Sequence, residues 1–271
     1  MSKITTFDIE RYKKQRLAEY SNRGKTHSIN GRLVHKTVTT TSKLTSPGTV
    51  NREIAVLSHL FNKACEWGWL NHTPIRMKRL KENSGRIVYL TVDQLQKLRE
   101  QAKLDDNKHI YAFILIGTET SMRASEIFSM RREQVDLLKN TIYIPKAKAG
   151  AREQPITKRL TKYLKSYIDG LPVTSQWLFS SPTSKSGHIV DIRKAFRIVV
   201  TAAGLDPDVV VRHTMRHTAI THLVQAGVDL STVKRISGHK TLAMVERYSH
   251  ANGEHIGIAM DLLEKRYKTA V

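Results

Sequence analysis

Apolar residues recur at helical spacing over most of this chain, and only short stretches alternate with the two-residue rhythm of a strand. In "SPGTVNREIAVLSHLFNKACEWGWL", Val50, Ile54, Leu57, Phe61 and Cys65 share one helical stripe. Ser46 followed by Pro47 supplies an N-cap and a first-turn proline, so the helix is predicted to start there. An earlier helix is predicted over Asp8 to Tyr20, where Ile9, Tyr12, Leu17 and Tyr20 sit among Arg11, Lys13, Lys14 and Arg16. Residues 22–46 are polar and rich in threonine, a long loop or irregular hairpin with no readable function. Thr91 and Gln94 then form a candidate capping box ahead of Leu95, Leu98 and Ala102. Tyr111 to Ile116 is apolar throughout, as in a buried helix, and a turn and a second short helix follow.

"TIYIPKAKAGAREQPIT" reads as a hairpin, with one strand over Thr141 to Ile144, a turn glycine within Lys148 to Ala151 and a return over Glu153 to Thr157. Helical stripes resume at Leu160, Leu164 and Ile168, then at Ile192, Phe196 and Val199 before Gly204, and again at Leu223 and Val224 before Gly227. Trp177 to Phe179 is a candidate short strand. The predicted fold is mainly α with a small β-hairpin or sheet element.

Charge changes the picture. The 271 residues hold 45 Lys plus Arg against 24 Asp plus Glu, a formal net charge of +21. Such an excess attracts polyanions, of which nucleic acid is the commonest inside cells. A membrane surface is the competing polyanion, but there is no apolar run long enough to span a bilayer and no secretory leader, so a cytoplasmic protein with no membrane partner is expected. One cysteine, Cys65, makes no internal disulfide, and no CxxC or HExxH spacing suggests a metal site. Residues 1–85 carry +10 of the net charge in under a third of the length. "NHTPIRMKRLKENSGRIVYL", with five basic residues, a proline and a glycine, reads as a basic connection. We therefore expect a helical domain over 1–75, a basic linker over 76–89 and a second domain over 90–271. Arg52 and Lys63 on the polar side of the helix after Ser46, with Asn51 and His59, and Lys78 and Arg79 in the linker, are candidate DNA-phosphate contacts or simply solvated charges.

The chemistry concentrates in "VVRHTMRHTAITHL". His213, Arg216 and His217 stand at i, i+3 and i+4 of a helix and share a face that borders the apolar stripe. His222 reads as a boundary residue, but the cluster as a whole asks for an anion. Arg123 and Glu126, three apart, are either a surface ion pair or an inward-facing arginine with its partner.

Four segments in order, "TSMRASEI", "KAGAREQP", "HTMRHTAIT" and "SGHKTLAMVERYSH" with a tyrosine nine residues after the Gly-His pair, resemble the tyrosine recombinases, the phage integrases in particular. "TVNREIAVLSHLFNKACEWGWL" resembles that family's core-binding domain, ahead of which many phage integrases carry a further arm-binding domain. The resemblance implies a helical core-binding domain and a catalytic domain that clamp double-stranded DNA. By resemblance, Tyr248 matches the nucleophile that forms a 3′-phosphotyrosyl link and frees a 5′-hydroxyl, with no cofactor and no metal because the bond energy is kept in the covalent intermediate. Arg123 and Arg216 match the pair that grips non-bridging oxygens. His213 and His239 match groups that hydrogen-bond the phosphate, His213 being also a candidate proton acceptor from Tyr248. Lys148 matches the hairpin lysine that protonates the leaving oxygen, although the hairpin is one residue shorter than usual and Lys146 stands two positions away. Glu126 and His217 match supporting positions. Ser121 stands where the family usually has glycine, and Ser237 and Met215 replace common leucines.

The function so implied is site-specific recombination in the integration or excision of a mobile element. It would be carried out by a homotetramer on paired sites, with DNA-bending accessory proteins as possible partners. The C-terminal stripe of Ile256, Met260 and Leu263 packs either on a neighbouring protomer or on its own domain in this reading. The rivals are a type IB topoisomerase-like strand transferase and a catalytically silent sequence-specific DNA-binding protein.

Overall fold

The computed structural model describes residues 4–29, 32–82, 85, 87–145, 150–249 and 255–268. The chain divides into two units, residues 1–85 and 86–271.

In the first unit α1 (Thr6–Ala18) opens with a reciprocal cap, in which the Asp8 amide donates to the Thr5 hydroxyl and the Asp8 carboxylate accepts from the Thr5 amide. The threonine-rich stretch that follows is a long hairpin, β1 (Tyr20–Ile29) antiparallel to β2 (Arg32–Leu44), with irregular register at Tyr20/Asn22 and His27/Ser28. α2 (Pro47–Glu66) starts as predicted, the Ser46 hydroxyl accepting from the Thr49 amide and Pro47 in the first turn. Ile9, Val50 and Ile54 form a small core that Leu57, Ile75, Met77 and Leu80 complete.

Part of the stretch read as a linker lies against that core, with Met77 and Leu80 packed on it within the first unit. Asn51, expected on a polar face, is buried under this strap. Its side-chain oxygen accepts from the Leu80 amide at 2.8 Å, and its nitrogen donates to the Leu80 carbonyl at 2.9 Å and to Glu82 at 2.6 Å. The buried Lys13 ammonium donates to the Lys78 carbonyl at 2.6 Å and to Glu10 at 2.7 Å. Both side chains meet backbone groups that would otherwise lose water without replacement.

The second unit begins with α3 (Val92–Leu104), capped by the predicted Thr91/Gln94 box. α4 (Lys108–Thr120) buries Ala112 to Gly117 and is followed by α5 (Ala124–Phe128). A three-stranded antiparallel sheet of β3 (Val135–Asp136), β4 (Thr141–Ile144) and β5 (Arg152–Pro155) comes next, in the order β3-β4-β5. The return strand begins at Arg152 opposite Ile144, one residue before the predicted start. The remaining helices are α6 (Lys158–Asp169), α7 (Arg193–Ala202), α8 (Arg212–Gln225), α9 (Leu230–Ser237), α10 (Ala243–Glu246) and α11 (His255–Lys268). Trp177 to Phe179 is not a strand. Trp177 makes one isolated bridge to Arg131 while Leu178 and Phe179 fill the core.

α4 packs on α8, and a Cβ at Gly117 would lie 3.1 Å from that of Met215, so glycine sets how closely the two helices approach. A second cluster of Ile220, Val224, Val233, Val245 and Tyr248 ties α8 to α9 and α10. Met260 and Leu263 of α11 are exposed, and the side chain of Ile256 lies outside the described residues. Among the described residues no helix is long and apolar enough to cross a membrane.

Asn51→Ala removes three hydrogen bonds and strands the Leu80 amide and carbonyl. Urea unfolding of the variant is expected to show a loss of about 1–3 kcal/mol.

Candidate functional site

α8 places Arg216 inward, 2% exposed. Its Nη1 donates to the Ser121 carbonyl at 2.6 Å and its Nη2 to Nε2 of His239 at 3.0 Å. Arginine is always the donor, so Nε2 of His239 is the acceptor and Nδ1 carries the ring proton, donating it to the Ser237 hydroxyl at 2.7 Å. The Ser237 hydroxyl in turn donates a hydrogen bond to the Lys234 carbonyl at 3.3 Å. Arg216 thus fixes the histidine tautomer, and a serine before the Gly-His pair supplies the acceptor for Nδ1–H that a leucine would not.

Ser121 ends α4 in the left-handed region, at φ 55° and ψ 18°. Its hydroxyl is buried and meets no partner among the described residues. Its carbonyl accepts from Arg216 and its amide closes α4 on the Gly117 carbonyl at 3.2 Å.

Tyr248 is 3% exposed and its hydroxyl lies 2.6 Å from Nδ1 of His217. Burial raises the phenol pKa against the opposing charges of Arg216 and Arg247. Burial, then the charges of His213, Arg247 and Arg216, depresses His217 to about 4. At neutral pH the phenol therefore donates to an uncharged imidazole. The hydrogen bond thus goes to His217, which the resemblance gave a supporting position, while His213 was a candidate proton acceptor from Tyr248. The His213 side chain is exposed and stands edge-on to His217, ring centroids 4.5 Å apart. The His239 ring also neighbours the phenol, at 6.4 Å between centroids.

Arg123 and Glu126 are not a surface pair. The Glu126 side chain is 4% exposed and accepts from the Arg123 amide at 3.0 Å and from Arg123 Nη1 at 3.1 Å. Its other partner is Arg152 of β5, whose Nη1 and Nη2 reach the two carboxylate oxygens at 3.2 and 3.0 Å. Burial pushes the Glu126 pKa up, but hydrogen bonds from Arg152 and Arg123 outweigh it and leave the carboxyl below its ordinary value. Arg123 Nη2 also points to the Gly238 carbonyl at 3.4 Å. Gly238 closes α9 at φ 63°, and a Cβ there would meet the Arg152 guanidinium at 2.8 Å.

The structure thus gathers Arg123, Glu126, His213, Arg216, His217, His239 and Tyr248, with Arg152 added. Nothing in the hairpin's spacing marked Arg152; its signal was being the first strand residue after a glycine turn. Lys146 and Lys148 lie outside the described residues. Arg52, Lys63, Lys78 and Arg79 belong to the first unit. There Arg52, Lys78 and Arg79 are exposed, Lys63 pairs with Glu66, and Arg79 edges a cavity of about 200 Å³ with His59 and Asn62. Beside His213 a groove of about 300 Å³ is rimmed by Arg193, Arg197 and Arg212, which pair with Asp191 or Asp208. Tyr111, Tyr163 and Tyr167 pack together, away from these groups' hydrogen bonds. Among the described residues no three His, Cys, Asp or Glu side chains are grouped to hold a metal ion. What the cluster offers is a phenol beside neutral imidazoles and two guanidiniums, a set suited to holding anionic oxygens next to a hydroxyl that can give up its proton.

Residues 88–255 match the model of the phage integrase family. The shufflon-specific DNA recombinase of Escherichia coli is 30% identical over 92% of this chain and 59% of its own length. A putative integrase of Pseudomonas phage Pf1 is 29% identical over 80% of this chain and 61% of its length, so this chain spans about three fifths of these relatives. Among solved structures, the Tn1549 transposon integrase in complex with circular intermediate DNA superposes with TM-score 0.65 at 21% identity, covering 81% of each chain. The XerH recombinase in a post-cleavage complex with a palindromic difH substrate gives 0.64 at 21%, over 81% of this chain and 68% of that one. At such identities the superpositions speak for the fold.

Ser121→Gly removes the left-handed strain and the stranded hydroxyl, and is expected to raise stability by about 1 kcal/mol in chemical denaturation. His217 and His239 are both depressed to about 4 from an ordinary 6.5, so the unfolded chain binds more protons between those values. Their contribution is complete above pH 6.5 and is lost as pH falls toward 4. Thermal midpoints are expected to drop across that window, and less steeply in His217→Asn.

Proposed function

The chain belongs to the phage integrase family of tyrosine recombinases, and on that footing we propose that it is a site-specific DNA recombinase that cleaves and rejoins duplex DNA through a 3′-phosphotyrosyl intermediate. The observation that carries the reading is the Tyr248 hydroxyl held at 2.6 Å by His217, with Arg216 and His239 packed beside it.

In this reading the Tyr248 oxygen attacks the scissile phosphorus while its proton passes to Nδ1 of His217. The new O–P bond forms as the bond to the 5′-oxygen breaks, and that oxygen takes a proton from the hairpin lysine, Lys148. Rejoining reverses these transfers, so no nucleotide is consumed. Arg123 and Arg216 bind the non-bridging oxygens. Each guanidinium has five N–H groups and spends only part of them within the protein, which leaves donors for charge that grows in the transition state. His239 has both nitrogens engaged in this arrangement. A bound phosphate would raise its proton affinity, and the imidazolium would then donate from Nε2. In the same reading His213, exposed beside His217, hydrogen-bonds that phosphate.

Double-stranded DNA is the proposed partner, bound by four protomers on two sites with DNA-bending proteins as accessories, in integration or excision of a mobile element. Arg52, Lys63, Lys78 and Arg79 are proposed as phosphate contacts that add affinity without sequence information.

The test is covalent trapping. The protein and its Tyr248→Phe variant are incubated in EDTA with nicked duplexes that include sequence flanking its own gene, then run on SDS gels. We expect an SDS-resistant protein–DNA band with the unmodified protein alone, and sequencing of the trapped DNA gives the site. Tight DNA binding by both proteins with no band from either overturns the catalytic reading in favour of a silent DNA-binding protein. A band accompanied by relaxation of supercoils, but never by joining of two DNA molecules, replaces recombination with topoisomerase action.

A further inference from the structure

Arg152 plays no part in the proton and phosphate transfers above, yet it commits a whole guanidinium to Glu126. A carboxylate has about four lone-pair positions, and at Glu126 all four are spoken for: Arg123 N and Arg152 Nη2 on Oε2, Arg123 Nη1 and Arg152 Nη1 on Oε1. The three side chains are shielded from water, 22% exposed at Arg123, 13% at Arg152 and 4% at Glu126. In such surroundings the sum of charge matters as much as the contacts. Arg123 with Glu126 alone is a neutral pair. With Arg152 the group carries one positive charge.

We propose that Arg152 is a positioning residue that offsets the charge of Glu126, so that Glu126 orients Arg123 without cancelling its pull on the scissile phosphate. Glu126 fixes Arg123 through the backbone amide and Nη1, which holds the start of α5 and the guanidinium together. Arg152 keeps the carboxylate fully occupied, so it cannot turn to take a second N–H of Arg123. Gly238 serves the same arrangement: only a residue without a Cβ leaves room for the Arg152 guanidinium, and its carbonyl receives Nη2 of Arg123. Nε of Arg152 is buried with no partner among the described residues, a cost that is accepted for the two-pronged grip on Glu126.

This inference rests on the recombinase reading, and its test separates the two. On the duplex recovered by trapping, single-turnover formation of the covalent complex is timed for the unmodified protein, Arg152→Met, Arg152→Lys and the double variant Glu126→Gln/Arg152→Met. Arg152→Met is expected to react roughly 10- to 100-fold more slowly, as when groups that orient a site's reacting residues are removed. Arg152→Lys recovers part of that loss because it keeps the charge. The double variant recovers most of it because no charge is left to offset, and it also avoids an unpaired buried carboxylate if the single variant folds poorly. On a duplex with an uncharged methylphosphonate at the scissile position, the Arg152→Met defect shrinks, since less charge on the substrate needs neutralising. A double variant as slow as or slower than Arg152→Met, or a defect of equal size on the methylphosphonate, overturns the inference and leaves Arg152 a structural residue. An Arg152→Met protein as fast as the unmodified one does the same. A missing covalent complex with the unmodified protein sinks the recombinase reading, and this inference with it.

Discussion

Burying the Arg216 guanidinium is tolerable only because the Ser121 carbonyl and the His239 ring take two of its N–H groups, and much of the second unit is arranged to bring those acceptors within reach. Gly117 lets α8 lie close enough to α4 for the carbonyl at the end of α4 to face the arginine. The left-handed turn at Gly238 delivers His239 to the other side. Neither acceptor is charged, so the guanidinium keeps its charge: burial and Arg123 lower its pKa to about 10, well above neutrality. An oxyanion would thus meet an arginine held in place by dipoles and not quenched by a carboxylate.

The same logic operates at Arg123, where a carboxylate is present but shared. Two guanidiniums around Glu126 leave a net positive charge where one would leave none. Around the phenol, depressed imidazole pKa values add acceptors and no charge. The site therefore separates two tasks. Positive charge resides on guanidiniums that keep it at neutral pH, and acceptor nitrogens on histidines that are uncharged there.

Local signals were legible where a few neighbouring residues decide the outcome. The Ser46-Pro47 start, the Thr91/Gln94 box and the apolar run from Tyr111 to Ile116 are decided by groups within a turn of each other. Ordered motifs likewise announced Arg123, His213, Arg216, His239 and Tyr248. What escaped depends on partners distant in sequence. Asn51 is buried because residues 29 and 31 positions later fold over it. Residues 76–82 resemble a linker in composition and become a strap only through Lys13, Asn51 and the small core. Arg152 finds Glu126 across 26 residues. That His217 and not His213 meets Tyr248 depends on where α10 returns the tyrosine, which no spacing along α8 encodes.

The enclosed hydroxyl of Tyr248 also bears on timing. With 3% of the residue exposed and its oxygen capped by His217, a collision with a phosphodiester does not by itself bring oxygen and phosphorus together. Whatever Tyr248 does proceeds at an intrinsic rate scaled by the fraction of molecules that have uncovered it. A chain of such positive charge attracts polyanions, and this scaling decouples how often one is bound from how often the phenol reacts. Selectivity can then reside in which bound anion shifts that equilibrium, so that weakly discriminating binding is compatible with a sparing use of the phenol.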